Sequence, residues 1–284
     1  MLKGEELRGA GLAVAATACF STGAVLVRFA QALSPFEVTA FRLLLGAVFV
    51  GAAARVWGIP LALAKPLRLP VVGVGLVAAL HFLTFITSLY YTSIAHALTL
   101  TYTAPAMLAV ASWIFLGERL RPRQVLGILL TVTGIALLAG FEPTRTRRML
   151  GGDLLALGAA ASFAAYSFLG RHLQGALPLL RYVFWLYLTA GLIALPAAAA
   201  TLTAPYQVGA LFAVTLQALL PLAFGHTLYN AAIRRLSPTL VSLIASQEVT
   251  GGILLGWVLL GEAGTPTTFA GVAVTLAGIL LVLW

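Results

Sequence analysis

Apolar residues fill this chain in long blocks, and polar residues come in short clusters between them. Crossing a hydrocarbon layer of ~30 Å at 1.5 Å per residue takes about 20 apolar residues in a helix. Ten blocks are of that size: 9–30, 35–57, 70–90, 94–116, 123–140, 151–171, 179–200, 208–232, 239–260 and 266–284. Pro, Gly and Arg supply most of the breaks. Backbone polar groups inside a bilayer must be satisfied within the protein, which makes each block a helix. The pattern therefore predicts an all-α integral membrane protein with ten transmembrane helices, numbered here as spans 1–10. The connections are short, so neighbouring spans run antiparallel and no soluble domain is expected.

The blocks also repeat. Trp113-Ile-Phe-Leu-Gly-Glu returns as Trp257-Val-Leu-Leu-Gly-Glu, and at the same offset of 144 Pro122 matches Pro266. The match continues through Gly127/Gly271, Thr131/Thr275 and Gly134/Gly278. At an offset of 143, Gly9 matches Gly152, Phe20 matches Phe163, Arg28 matches Arg171 and Pro35 matches Pro178. Tyr90 and Ile94 match Tyr229 and Ile233 at an offset of 139, which implies about five extra residues between spans 8 and 9. The unit is five helices made twice, over 1–143 and 144–284. Five is odd, so the second copy enters the membrane upside down, as in the inverted repeats of secondary transporters.

Composition supports the membrane reading. Hydrophobic residues make up 61% and charged residues 9% of the chain, against roughly 25% charged in soluble domains. Mean hydropathy is +1.02. The net charge of +9 sits in gaps between apolar blocks, so it reads as membrane topology and not as nucleic-acid binding. With the N-terminus inside the cell, 12 Lys and Arg residues fall on the cytoplasmic side and 4 outside, and Arg42 within span 2 completes the 17. That bias predicts both termini in the cytoplasm, in a bacterial-type inner membrane. Three arginines in 141–150 run against it. The single cysteine, Cys19, lies in an apolar block and reads as filler. The first block is too long for a signal-peptide core and has no convincing cleavage site.

Two five-helix halves, each with a Leu-Gly-Glu turn followed by proline and a Gly-rich helix, resemble the EamA family of the drug/metabolite transporter superfamily. The resemblance covers nearly the whole chain and rests on Leu116-Gly117-Glu118 and Leu260-Gly261-Glu262. The family's Glu-Pro in the helix before the second turn reads Glu248-Val249 here, with Ala104-Pro105 in the first half. A Tyr-x-x-Pro at Tyr102–Pro105 and an aromatic-Ala-Ala-Tyr at Phe163–Tyr166 are similar to the family's aromatic amino-acid exporters. The resemblance implies export of amino acids or other small metabolites.

Candidate functional residues follow from depth. Seven of the eight acids fall at ends or turns, while Glu248 lies about ten residues into span 9, near the bilayer midplane. An ionisable group there is costly and marks a functional site unless a neighbouring helix merely satisfies it. His81, Thr84, Phe85 and Ser88 share one face of span 3, and His226, Tyr229 and Asn230 form the matching stripe on span 8. Both stripes are expected to face one central cavity. Thr99 and Tyr102 in span 4 line its outer half, with a carbonyl freed by Pro105 nearby. Phe163 and Tyr166 give it an apolar wall, although ordinary core packing is the plainer role for Phe163. Glu118 and Glu262, though repeated, sit where capping or interface contacts are expected. Arg42 reads as a residue that snorkels outward, with a substrate-carboxylate role as the alternative. The repeated glycines read as close helix packing.

These features describe a secondary-active or facilitative transporter working by alternating access, with proton coupling through Glu248 or His81 as a further expectation. Its partners are the lipid bilayer and a small substrate, amino acids first. A lone buried acid also suits efflux of lipophilic cations. No Walker loop couples the chain to ATP, no cofactor or metal site is indicated, and nothing points to an enzyme or a selective channel.

Overall fold

In the computed structural model the described residues are 4–116, 121–140, 146–236, 241 and 244–283. Span 1 is Gly4–Ser21 continued by Gly23–Phe29, span 2 is Pro35–Val56 and span 3 is Lys65–Tyr91. Span 4 is split into Ile94–Thr101 and Ala104–Leu116, and span 5 is Pro122–Gly140. In the second half, span 6 is Arg147–Ala176 and span 7 is Leu179–Ala199. Span 8 runs from Val208 to Ile233, span 9 contains Glu248–Leu260 and span 10 is Pro266–Leu283. Six of these helices are long and apolar enough to cross a membrane whole. Spans 5, 9 and 10 are shorter apolar helices.

Span 3 shows how the pattern becomes packing. Leu69, Val72, Leu76 and Leu80 stand exposed on one face, where lipid covers them. Val71, Val74, Ala78, Phe82 and Phe85 are buried on the other. The helix extends about a turn beyond the expected start because Pro66 occupies its first turn, where a missing N–H costs nothing.

Hydrogen bonds define the two ends of the bundle. At one end Ser34 caps span 2 by accepting from the Glu37 amide, while Glu37 Oε2 accepts from the Ser34 amide. Glu37 also accepts from Thr203 N and Oγ1 in the connection after span 7. At the opposite end, Arg181 and Trp185 of span 7 donate to the carbonyls of Pro60 and Leu61. Arg234 donates to Leu177 O there. Alternate connections thus gather at opposite ends, as antiparallel spans require.

The inverted repeat is visible in contacts that exchange partners. A Cβ built on Gly127 of span 5 would lie 2.6 Å from Gly278 O of span 10, and one on Gly134 would lie 2.8 Å from Gly271 O. Adding 144 to one pair and subtracting it from the other converts each contact into its mate. Gly134 against Thr275 and Gly278 against Thr131 exchange in the same way. Only two helices related by a two-fold axis produce such swaps. Glycine is required here because the backbones touch.

One expected offset changes. Gly152 packs on Tyr91 and Thr92, and its repeat mate Gly9 packs on Arg235 and Leu236. The register through span 8 therefore stays near 144, and the offset of 139 drawn from Tyr90/Tyr229 and Ile94/Ile233 does not describe the fold. Two coincident residues in an apolar helix carry little register information.

Candidate substrate cavity

The two-fold axis passes a cavity with ≈ 820 Å³ of empty space, its open mouth included. Its walls come from both halves: Phe20 and Gly23 of span 1, Arg42 of span 2, and His81, Phe82 and Phe85 of span 3. Tyr102 and Thr101 of span 4, Phe163 of span 6, Pro221, His226 and Tyr229 of span 8, and Glu248 of span 9 also contribute.

Irregular backbone marks this level of the bundle. Span 4 breaks at Tyr102 and Thr103, and span 9 breaks at Ser246 and Gln247, which are the same positions at an offset of 144. Glu248 opens the helix after the second break, and Ala104 opens the helix after the first. Both spans read as continuous in the sequence, where Pro105 signals only a freed carbonyl in span 4 and nothing marks span 9. Ala218–His226 of span 8 is π-helical around Pro221. Such segments recur at functional sites, because the wider turn frees carbonyls and re-aims side chains. Discontinuous helices at mid-membrane are where transporters hold their substrates.

The walls are pseudo-symmetric. His81 meets Phe163 with ring centroids 5.2 Å apart, and His226 meets Phe20, the repeat mate of Phe163, at 4.8 Å. His81 Nδ1 lies 2.9 Å from Ala159 O, a contact that orients the ring. Phe82 reaches across to His226 at 5.5 Å. The Tyr102 hydroxyl donates to Glu248 Oε2 at 2.5 Å, joining the two broken spans.

Seven of the expected residues line this cavity: His81, Phe85, Tyr102, Phe163, His226, Tyr229 and Glu248. The other five stand behind or beside it. Thr84 Oγ1 donates to Leu80 O and His81 O, and Ser88 Oγ to Phe85 O, so each hydroxyl is satisfied within its own helix. Asn230 Nδ2 donates to His226 O in the same manner. Thr99 is fully buried, with Oγ1 unpartnered. Tyr166 is buried against His81 and Phe163.

Arg42 corrects its first reading. It does not snorkel; it is 3% exposed, its Nε has no hydrogen-bond partner, and its guanidinium lies 5.0 Å from the Phe82 ring centroid. Depth pointed to it by the same logic as to Glu248. Phe20 was also missed, although its match to Phe163 would have found it by symmetry.

At the end that bears Arg28 a charged cluster ties spans 1, 4, 6 and 9 together. Arg28 Nε donates to Glu262 Oε1 at 2.5 Å, and Nη2 donates to Glu262 Oε2 at 3.2 Å and to Thr92 O at 2.9 Å. Glu262 Oε2 also accepts from the Ile94 amide at 3.1 Å. Buried Asp153 accepts from Thr92 Oγ1 at 2.6 Å, and its Oδ1 lies 3.1 Å from His96 Nδ1. Glu262 is thus an interface residue, as expected, and its mate Glu118 lies outside the described residues. Arg148, one of the three arginines that opposed the charge bias, donates to Tyr90 O and lies over the Tyr91 ring.

Broken helices on a two-fold axis around a shared cavity define the class of secondary transporters built from inverted repeats. The EamA-like transporter family matches residues 7–140 and again 150–284, and the chain belongs to that family. It is a transporter and not an enzyme. It is 27% identical over 278 residues to a pseudopaline exporter of Pseudomonas aeruginosa, covering 93% of this chain and 91% of that protein. A solved crystal structure shares the fold with a TM-score of 0.71 and 21% identity, over 96% of this chain and 95% of that one.

Proposed function

We propose that this chain exports amino acids or closely related small metabolites across a bacterial-type inner membrane by alternating access. The observation that carries the reading is the cavity at the paired breaks of spans 4 and 9, walled by aromatic and histidine side chains from both halves. An apolar wall with a few convergent polar groups suits a small amphipathic solute. The related pseudopaline exporter supports the outward direction.

The excess of basic residues at the Arg55 and Arg181 end supports placing both termini in the cytoplasm, with the halves meeting near residues 143 and 144. The Arg28 cluster then faces outward and closes the cavity on that side. Rocking of the halves opens this closure and shuts the other. Within the cavity His81, Phe85, Tyr102, Phe163, His226, Tyr229 and Glu248 contact the substrate, with Tyr166 backing the aromatic wall. Glu248 is the group placed to exchange a proton with it.

The test is uptake of a panel of labelled amino acids and metabolites into liposomes holding only this protein, with and without a pH gradient. Saturable flux and counter-transport of amino acids support the reading. Flux confined to lipophilic cations overturns it. Flux in the E248Q protein that still follows the pH gradient removes Glu248 as the proton carrier.

A further inference from the structure

Most of the cavity obeys the two-fold, but its charges do not. Phe20 repeats Phe163, and each packs at a steep angle against a histidine ring. Arg42 has Trp185 at the matching position, and Glu248 has Ala104. The first half therefore supplies one cation and the second half one anion. Among the described lining residues, Arg42 and Glu248 are the only charged side chains apart from the histidines.

Neither charge is fully answered by the protein. Removing a guanidinium from water costs several kcal/mol unless an anion and hydrogen bonds replace the lost hydration. Arg42 has the face of Phe82, which recovers part of this. Its Nε remains without an acceptor at 3% exposure. Glu248 holds the Tyr102 hydroxyl. Both charges line the same cavity, yet no salt bridge joins them. What fits between an unfilled guanidinium fork and a carboxylate is a molecule that carries both complementary charges.

We infer that the cavity selects zwitterions with an α-amino-carboxylate head group, Arg42 holding the carboxylate and Glu248 the ammonium. This deepens the amino-acid reading and rests on it. The planar guanidinium pairs a carboxylate through two parallel hydrogen bonds, which fixes orientation as well as affinity. Phe20, Phe82, Phe85 and Phe163 form the apolar surface for the side chain. Because the two charges belong to opposite halves, a bound zwitterion ties the halves together, and each half moves with one end of the head group. A simple organic cation gains Glu248 but meets Arg42 unanswered, so the same geometry disfavours it.

The experiment compares matched ligands by thermal shift on the purified protein, so that it does not depend on transport. One series is leucine, 3-methylbutylamine and 4-methylpentanoate; a second is phenylalanine, phenethylamine and 3-phenylpropanoate. The unaltered protein is expected to bind the amino acid at least about tenfold more tightly than either truncated partner, the value of one charge-assisted contact. R42Q is expected to weaken the amino acid by roughly tenfold or more, the whole of its advantage, and so bring it level with the amine. E248Q does the same and brings it level with the acid. R42K keeps the charge without the fork and falls between. Should R42Q not yield folded protein, judged by size exclusion, the R42K comparison decides. Amino-acid binding that R42Q or R42K leaves unchanged overturns the inference and leaves the exporter reading standing. Tighter binding of amines than of amino acids, strengthened by R42Q, overturns it in favour of cation efflux. A panel that binds nowhere overturns both readings.

Discussion

The closure proposed at the Arg28 end is tested by removing one charge. In E262Q the side chain keeps its shape but loses the carboxylate that Arg28 holds with two nitrogens and that also accepts from the Ile94 amide. Hydrogen bonds to charged groups contribute about 1.5–3 kcal/mol. The side chains are 14% and 29% exposed, so solvent screening puts this pair at the low end, about 1.5 kcal/mol. A change of that size shifts a closed-to-open equilibrium roughly tenfold. The assay is the rate at which a membrane-impermeant thiol reagent, added on the Arg28 side, labels a cysteine placed on the cavity wall. C19S/T101C is the suitable parent, since Cys19 is the chain's one native cysteine and Thr101 lines the cavity. E262Q should speed labelling by roughly tenfold, and R28Q/E262Q should add little to that, because both remove one interaction. A labelling rate within about twofold of the parent, or fully additive single changes, would refute the idea that this pair holds the end shut.

Other consequences are open to measurement. G278A should cost roughly 1–3 kcal/mol or more and lower the melting temperature, since its Cβ would lie 2.4 Å from Thr131 N, a backbone atom that cannot give way. G73A, with nothing within 4 Å of the new Cβ, should stabilise by about 0.5–1 kcal/mol; equal melting of the two variants would show that the glycines of spans 5 and 10 are not there for packing. D153N should weaken the anchoring of His96 and Thr92, seen as faster hydrogen exchange in residues 91–98; exchange unchanged from the parent would mean that the carboxylate charge does not order this turn. Cysteines at Arg121 and Gly264 should react from opposite faces of the membrane, because these turns are inverted repeats of one another; reaction from one shared face would end the two-fold description.

Much of this architecture could be read from the chain alone, and the reason is that lipid imposes a simple rule. A helix must be apolar over a set length, so blocks of hydrophobic residues announce the spans, and an odd-numbered unit repeated in sequence has to invert. The glycines of spans 5 and 10 were legible for a related reason, since a small residue recurring in an apolar helix has little purpose other than close approach. The cavity was legible only in part. A polar side chain on a helix reports one face and says nothing about what satisfies it. Thr84, Ser88 and Asn230 bond to carbonyls of their own helices, while His81 and His226, on the same stripes, are too long and rigid to do so and reach the cavity. Arg42 carries a stem long enough to reach either water or the interior, and only the packing of spans 2 and 3 sends it inward over Phe82. The second helix break has no proline to declare it; it follows from the two-fold, which exists once both halves have folded against each other.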